Sequence, residues 1–104
     1  MTDYGFHPEA SADLDDIWDF IAADNLNASN KVANEILDAI DVLEAFPNQG
    51  SRRPNLTSRP LRFKLVREYV IAYAPEKKPL WVVAVFHGRR SPRGIAAMLR
   101  GWEQ

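Results

Sequence analysis

The chain has 104 residues, 46% of them hydrophobic and 26% charged, with a formal net charge of −1 and no cysteine. That length reads as one domain over residues 1–104 with enough apolar content to build its own core, and the composition excludes a disordered or fibrous chain. The lack of cysteine excludes disulfide staples, thiol nucleophiles, Fe–S clusters and cysteinyl zinc; with no apolar run near the roughly 18 residues a membrane span needs, and no metal or cofactor framework, the reading is a cytoplasmic protein without cofactors.

Tyr4 and Phe6 make a short apolar start, read as a first strand. Pro8 then suits the first turn of a helix, where its missing N–H leaves nothing unsatisfied. Leu14, Ile17, Trp18 and Ile21 recur at i, i+3, i+4 and i+7 and form one apolar stripe, with Asp13, Asp15, Asp16 and Asp19 on the other side as a solvated acidic face. Asn25, Asn27 and Asn30 supply turn and cap chemistry before a second, longer helix whose stripe is Val32, Ile36, Ile40 and Leu43, widened by Ala33 and Leu37. Pro47 ends it. The two helices form an antiparallel hairpin that must lay its apolar side on something.

Residues 47–60 hold Pro47, Gly50, Pro54 and Pro60 with Arg52, Arg53 and Arg59 between them, which reads as an exposed basic loop. The period then changes to two: Leu61, Phe63 and Leu65 on one side, Arg62, Lys64 and Val66 on the other. Arg67 and Glu68 turn the chain into Tyr69–Tyr73, and after the Pro75–Pro79 loop comes Leu80–Phe86, both apolar on both faces. Connections this short predict antiparallel neighbours. Ser91 and Pro92 read as a cap and first helical residue, and Ile95, Met98, Leu99 and Trp102 lie at helical spacing with Gly101 as a C-cap. The expectation is an α+β fold, β-α-α-β-β-β, with an N-terminal helical hairpin packed on an antiparallel sheet and a short C-terminal helix.

The small net charge conceals a polarity along the chain. Residues 1–50 carry eleven Asp/Glu against Lys31 alone, a balance of −10, whereas residues 51–104 carry twelve Lys/Arg against three Glu, a balance of +9. Such asymmetry predicts separate acidic and basic surfaces, the basic one open to an anionic partner.

Ala12-Asp13-Leu14-Asp15-Asp16-Ile17-Trp18, Phe46-Pro47-Asn48-Gln49-Gly50, Leu61-Arg62, Tyr69-Val70-Ile71-Ala72-Tyr73 and Val85-Phe86-His87-Gly88-Arg89-Arg90, in this order, span almost the whole chain. In this pattern the sequence resembles the ParE/RelE superfamily of toxins from type II toxin–antitoxin pairs, also called plasmid-stabilisation proteins. The resemblance implies a compact α+β toxin neutralised by a cognate antitoxin. ParE-like members bind and poison DNA gyrase; RelE-like members cut messenger RNA on the ribosome. Metal-free RNA cleavage needs an acid or base and cations for the phosphate charge, for which His87, Arg62, Lys64 and Arg89 are the candidates. Against that, the C-terminal tyrosine of many RelE-like nucleases is missing, Trp102 being the one aromatic after Phe86, and a chain of pI near 6.1 is poorly suited to docking in ribosomal RNA. The ParE-like reading is therefore favoured, with no catalytic residue of its own.

Under it, Arg62, Arg67, Arg89, Arg90 and Trp18 are candidates for binding an acidic C-terminal segment of the antitoxin, which adds an amphipathic helix and a strand. Met98, Leu99, Trp102 and Arg93 on the last helix are candidates for contacting gyrase. Trp81 and Trp18 are also expected to fill core. A homo-oligomer, or a heterotetramer with the antitoxin, is compatible with this reading.

Overall fold

A computed structural model describes residues 4–77 and 79–101. The elements follow in the order β1 (Tyr4–Phe6), α1 (Pro8–Ala22), α2 (Leu26–Ala45), β2 (Arg62–Val66), β3 (Tyr69–Ala74), β4 (Leu80–His87) and α3 (Pro92–Gly101). Asn25 and Ser91 cap as the sequence predicts, and α1 is capped by His7, which the sequence does not single out. His7 Nδ1 accepts the Glu9 N–H ahead of Pro8, Asn25 Oδ1 accepts the Ala28 N–H, and Ser91 Oγ accepts the Gly94 N–H ahead of Pro92. The α1–α2 hairpin is tied by two side chains: Ser29 Oγ donates to the Trp18 carbonyl at 2.8 Å and Trp18 Nε1 to Asn30 Oδ1 at 3.0 Å.

The four strands lie in the order β1-β4-β3-β2. β2–β3 and β3–β4 are antiparallel, as the short turns require, whereas β1 pairs in parallel with β4, Tyr4 to Phe6 opposite Leu80 to Val82. The sheet is therefore mixed. The helical hairpin intervenes between β1 and the other strands, and a connection of that length brings β1 alongside β4 in parallel.

Both faces of the sheet are covered. Val32, Ile36, Ile40 and Leu43 of α2 share one buried cluster with Ile71, Tyr73, Val82 and Val85, and Leu14, Ile17 and Ile21 of α1 pack against it. The opposite face holds Phe63, Val70, Ala72, Ala84 and Phe86 under Leu56 of the long loop and Ile95 and Leu99 of α3. β4 carries a bulge: Ala72 faces Ala84 but Tyr73 faces Val82, so Val83 is the extra residue and joins Ala84 on the α3 side. Trp81 packs at the edge of that second cluster, directly over Gly5, where a Cβ would come within 2.5 Å of the indole. Leu65, aligned in period with Leu61 and Phe63, is instead 59% exposed at the open edge.

Candidate functional site

β1 is only three residues long and shields the outer edge of β4 no further than Val82. Beyond it the chain turns through His7, whose N–H bonds the Val82 carbonyl, and α1 crosses the uncovered remainder of β4. There Asp13 Oδ2 accepts the Val85 N–H at 3.1 Å, a carboxylate standing where a neighbouring strand would otherwise supply a carbonyl. Asp13 is thus half-buried rather than on the solvated acidic face, and burial raises its pKa above 3.8, while the Val85 bond and the positive charge of Arg90 pull it back. Because the folded chain holds this proton more tightly than the unfolded chain, the contribution of Asp13 to stability is fully present below the unfolded pKa and is lost as pH rises through the folded one. Asp13→Asn keeps an acceptor for Val85 without the charge. Its melting temperature relative to wild type is expected to rise between about pH 4 and pH 7; a constant difference across that range contradicts the assignment.

Between α1 and this end of β4 lies a cleft of about 410 Å³ with Ile17, Phe20, Tyr69 and Val85 as its apolar wall and Asp13, Asp16, His87 and Arg90 around them. Phe20 is 80% exposed beside it. His87 sits at the rim with both nitrogens engaged. Nδ1 accepts the Arg89 N–H at 3.0 Å, which places the ring proton on Nε2, 3.2 Å from Glu68 Oε2, and the ring stands edge-on to Tyr69 at 5.5 Å. The Gly88 N–H donates to the Glu68 carbonyl at 2.7 Å, so the turn after β4 is fastened to the β2–β3 turn.

Of the four candidate nuclease residues, Arg89 lies beside His87, but Arg62 and Lys64 do not join them. Arg62 lies in register with Tyr73 and, through it, with Val82, whereas His87 is opposite Tyr69. The two are about 15 Å apart along the strand direction, with β3 between them. Lys64 is level with Ile71 and Val85, two strands (about 10 Å) from β4. Arg62 Nη1 donates to the Gly50 carbonyl at 2.6 Å and the Asn48 carbonyl at 3.3 Å, so its guanidinium holds the Asn48–Gly50 turn. Arg67 is likewise engaged within the chain: Nε and Nη2 each lie 2.7 Å from a Glu35 oxygen, a bidentate pair that holds the Glu35 carboxyl below its usual range. Its backbone φ of 54° lies at the first central position of the β2–β3 turn, where glycine is favoured.

Arg89 and Arg90 are exposed in the turn after β4, and Arg93 is exposed on α3. Trp18 is 36% exposed on the hairpin rather than core. Leu99 is 3% exposed in the α3-side cluster, so its side chain supports α3 instead of reaching a target. Met98 lies on α3, its side chain outside the described residues, as is Trp102. Two features escaped sequence reasoning. Asp13 gave no signal apart from its acidic neighbours, and nothing local marks Tyr73 as the side chain that closes the Pro47–Gly50 turn.

A sequence profile for the ParE toxin of type II toxin–antitoxin systems (parDE) matches residues 4–92. The chain belongs to the ParE toxin family. Among solved structures it is similar to a chain from the chromosomal ParDE toxin–antitoxin system of P. aeruginosa, with a TM-score of 0.65 and 21% identity over 84% of this chain and 96% of that one. Among curated proteins, none matches. The expected superfamily and its ParE-like branch are thus found, and with them the toxin role in a type II pair and a cognate antitoxin as protein partner. In this ParE-family chain, no helix among the described residues is long and apolar enough to cross a membrane.

Proposed function

We propose that this ParE-family toxin acts by binding DNA gyrase and carries no nuclease site of its own. The observation that carries the reading is the separation of Arg62 and Lys64 from His87 and Arg89: His87 and Arg62 lie at opposite ends of the sheet, and the Arg62 guanidinium is committed to the Asn48 and Gly50 carbonyls. A phosphate developing charge beside His87 would meet Glu68 and Asp13 as well as Arg90, and carboxylates so placed oppose that charge. Neutralisation by the antitoxin fits the hairpin side of this cleft, where the exposed Phe20 and Trp18 offer apolar anchors to an amphipathic segment, and acidic residues of that segment would meet Arg90 at the cleft and Arg89 in the exposed turn after β4 rather than the carboxylates inside it. Arg93 remains a candidate for target contact.

Purified protein at micromolar concentration is expected to block gyrase supercoiling or trap cleaved DNA, and His87→Ala, folded as wild type, is expected to do the same. Untouched gyrase together with messages cut at codon boundaries, the cutting lost in His87→Ala, would replace this reading with the nuclease one.

A further inference from the structure

The tertiary structure gathers cations that the sequence leaves far apart. The long loop and α3 are separated by the β2–β4 sheet in sequence, yet Leu56 from one and Ile95 and Leu99 from the other are buried in the same cluster on the same sheet face. Residues 51–60 carry Arg52, Arg53 and Arg59, and residues 92–101 carry Arg93 and Arg100, with no Asp, Glu or Lys in either segment. Arg52, Arg53, Arg93 and Arg100 are exposed. With Ile95 and Leu99 turned inward, Arg93 and Arg100 share the solvent side of α3, about 10 Å apart along its axis. Arg53 is laid over the Phe63 ring at 5.9 Å, which steadies its guanidinium on the sheet. The acidic hairpin covers the opposite sheet face.

Among the described residues, exposed large apolar side chains are partitioned the other way. Trp18, Phe20, Leu26, Val42 and Phe46 all belong to the hairpin or its end, leaving Leu65 as the exposed large hydrophobic of β2. A protein partner needs apolar anchors, which the hairpin offers, whereas a nucleic-acid interface is polar and cationic, which is the character of the α3 face. Among its described residues that face exposes no aromatic on which an unstacked base could lie, so single strands are disfavoured. Its cations are all arginine, the weakly hydrated planar group that enters the narrow, electronegative minor groove of B-form DNA.

We propose that the surface formed by residues 51–60 and α3 binds the phosphate backbone of duplex DNA without sequence preference. This does not depend on gyrase being the target, since the test contains no gyrase. The measurement is fluorescence anisotropy of the full chain with a labelled mixed-sequence 24-bp duplex, at several salt concentrations from about 50 to 200 mM. Binding is expected to weaken steeply with salt, log K falling against log [salt] with a slope of about −3 to −4 if four phosphates are met. Arg52→Gln/Arg53→Gln and Arg93→Gln/Arg100→Gln are each expected to weaken binding about tenfold or more at low salt and to make the slope shallower by about two, while Lys31→Gln on α2 changes neither. The proposal is overturned if wild type fails to bind at tens of micromolar in low salt, or if both double variants bind as wild type does. It is equally overturned if single-stranded DNA, duplex RNA or a poly-glutamate peptide of matched charge binds more tightly than the duplex.

Discussion

Tyr73→Phe is expected to destabilise the protein by about 2–3 kcal/mol and to lower its melting temperature by about 10–20 °C. The phenol is fully buried at the hairpin-facing side of β3 and serves two backbone groups of the loop that ends α2. The Gly50 N–H donates to Tyr73 Oη at 2.9 Å, and the Tyr73 hydroxyl donates to the Pro47 carbonyl at 2.7 Å. Removing one oxygen atom leaves a buried donor and a part-buried acceptor without partners, each costing about 1–3 kcal/mol at full burial. Gly50→Ala attacks the same node from the other side. A Cβ there would lie 2.6 Å from Tyr73 Oη and 2.8 Å from the Phe63 carbonyl oxygen, and the second contact is backbone that also pairs with Ser51. Its cost is expected to be similar, about 1–3 kcal/mol for forced overpacking. The double variant should cost less than the sum, because either change alone already frees the turn. Denaturant unfolding that places Tyr73→Phe within about 0.5 kcal/mol of wild type would remove the node from the account of stability.

Ile36→Ala is expected to cost about 3–4 kcal/mol, the upper part of the range for emptying a buried isoleucine site. Ile36 is fully buried at the middle of the α2 stripe, in one cluster with Ile40, Ile71, Tyr73 and Val82, so its four side-chain carbons fill the layer between the hairpin and the sheet. Sheet and helix backbones are both held by their own hydrogen bonds, which limits how far either can move to refill the space. Val42→Ala is the internal control. The same helix presents Val42 44% exposed, and its truncation is expected to stay within about 0.5 kcal/mol. Equal losses at the two positions would mean that α2 does not use this face.

The motif Phe46-Pro47-Asn48-Gln49-Gly50 and the strand opening Leu61-Arg62 helped to carry the family resemblance, and the structure gives both a physical use. Gly50 is where Tyr73 and Arg62 meet the backbone, one through its hydroxyl and the other through its guanidinium. Read as a sequence, Arg62 is a cation on the polar side of a strand. In the fold that polarity is satisfied by the chain's own carbonyls. Arg67 follows the same course with Glu35, a residue 32 positions away. The partition of arginines into those that brace the fold and those turned to solvent is a non-local fact, since strand periodicity reports the side a residue takes but not the carbonyl or carboxylate waiting there.

Local signals in the chain set the order of elements, the two helical stripes, the cap at Asn25, the Ser91-Pro92 start of α3 and the antiparallel β2–β3–β4 meander. These depend on contacts within a turn or two, or on connections too short to allow another arrangement. Tertiary structure alone decided that β1 runs parallel to β4, that Asp13 caps the strand edge β1 leaves open, that Val83 bulges, and that the basic loop and α3 share one sheet face. Each of these joins groups distant in the chain, and local propensity carries no term for the backbone that will lie opposite. The separation of charge was legible as a difference between two halves; that the arginines of residues 51–60 and α3 lie across the sheet from the acidic hairpin, while Arg67 and Arg90 stay on the hairpin's side, followed only from the tertiary packing.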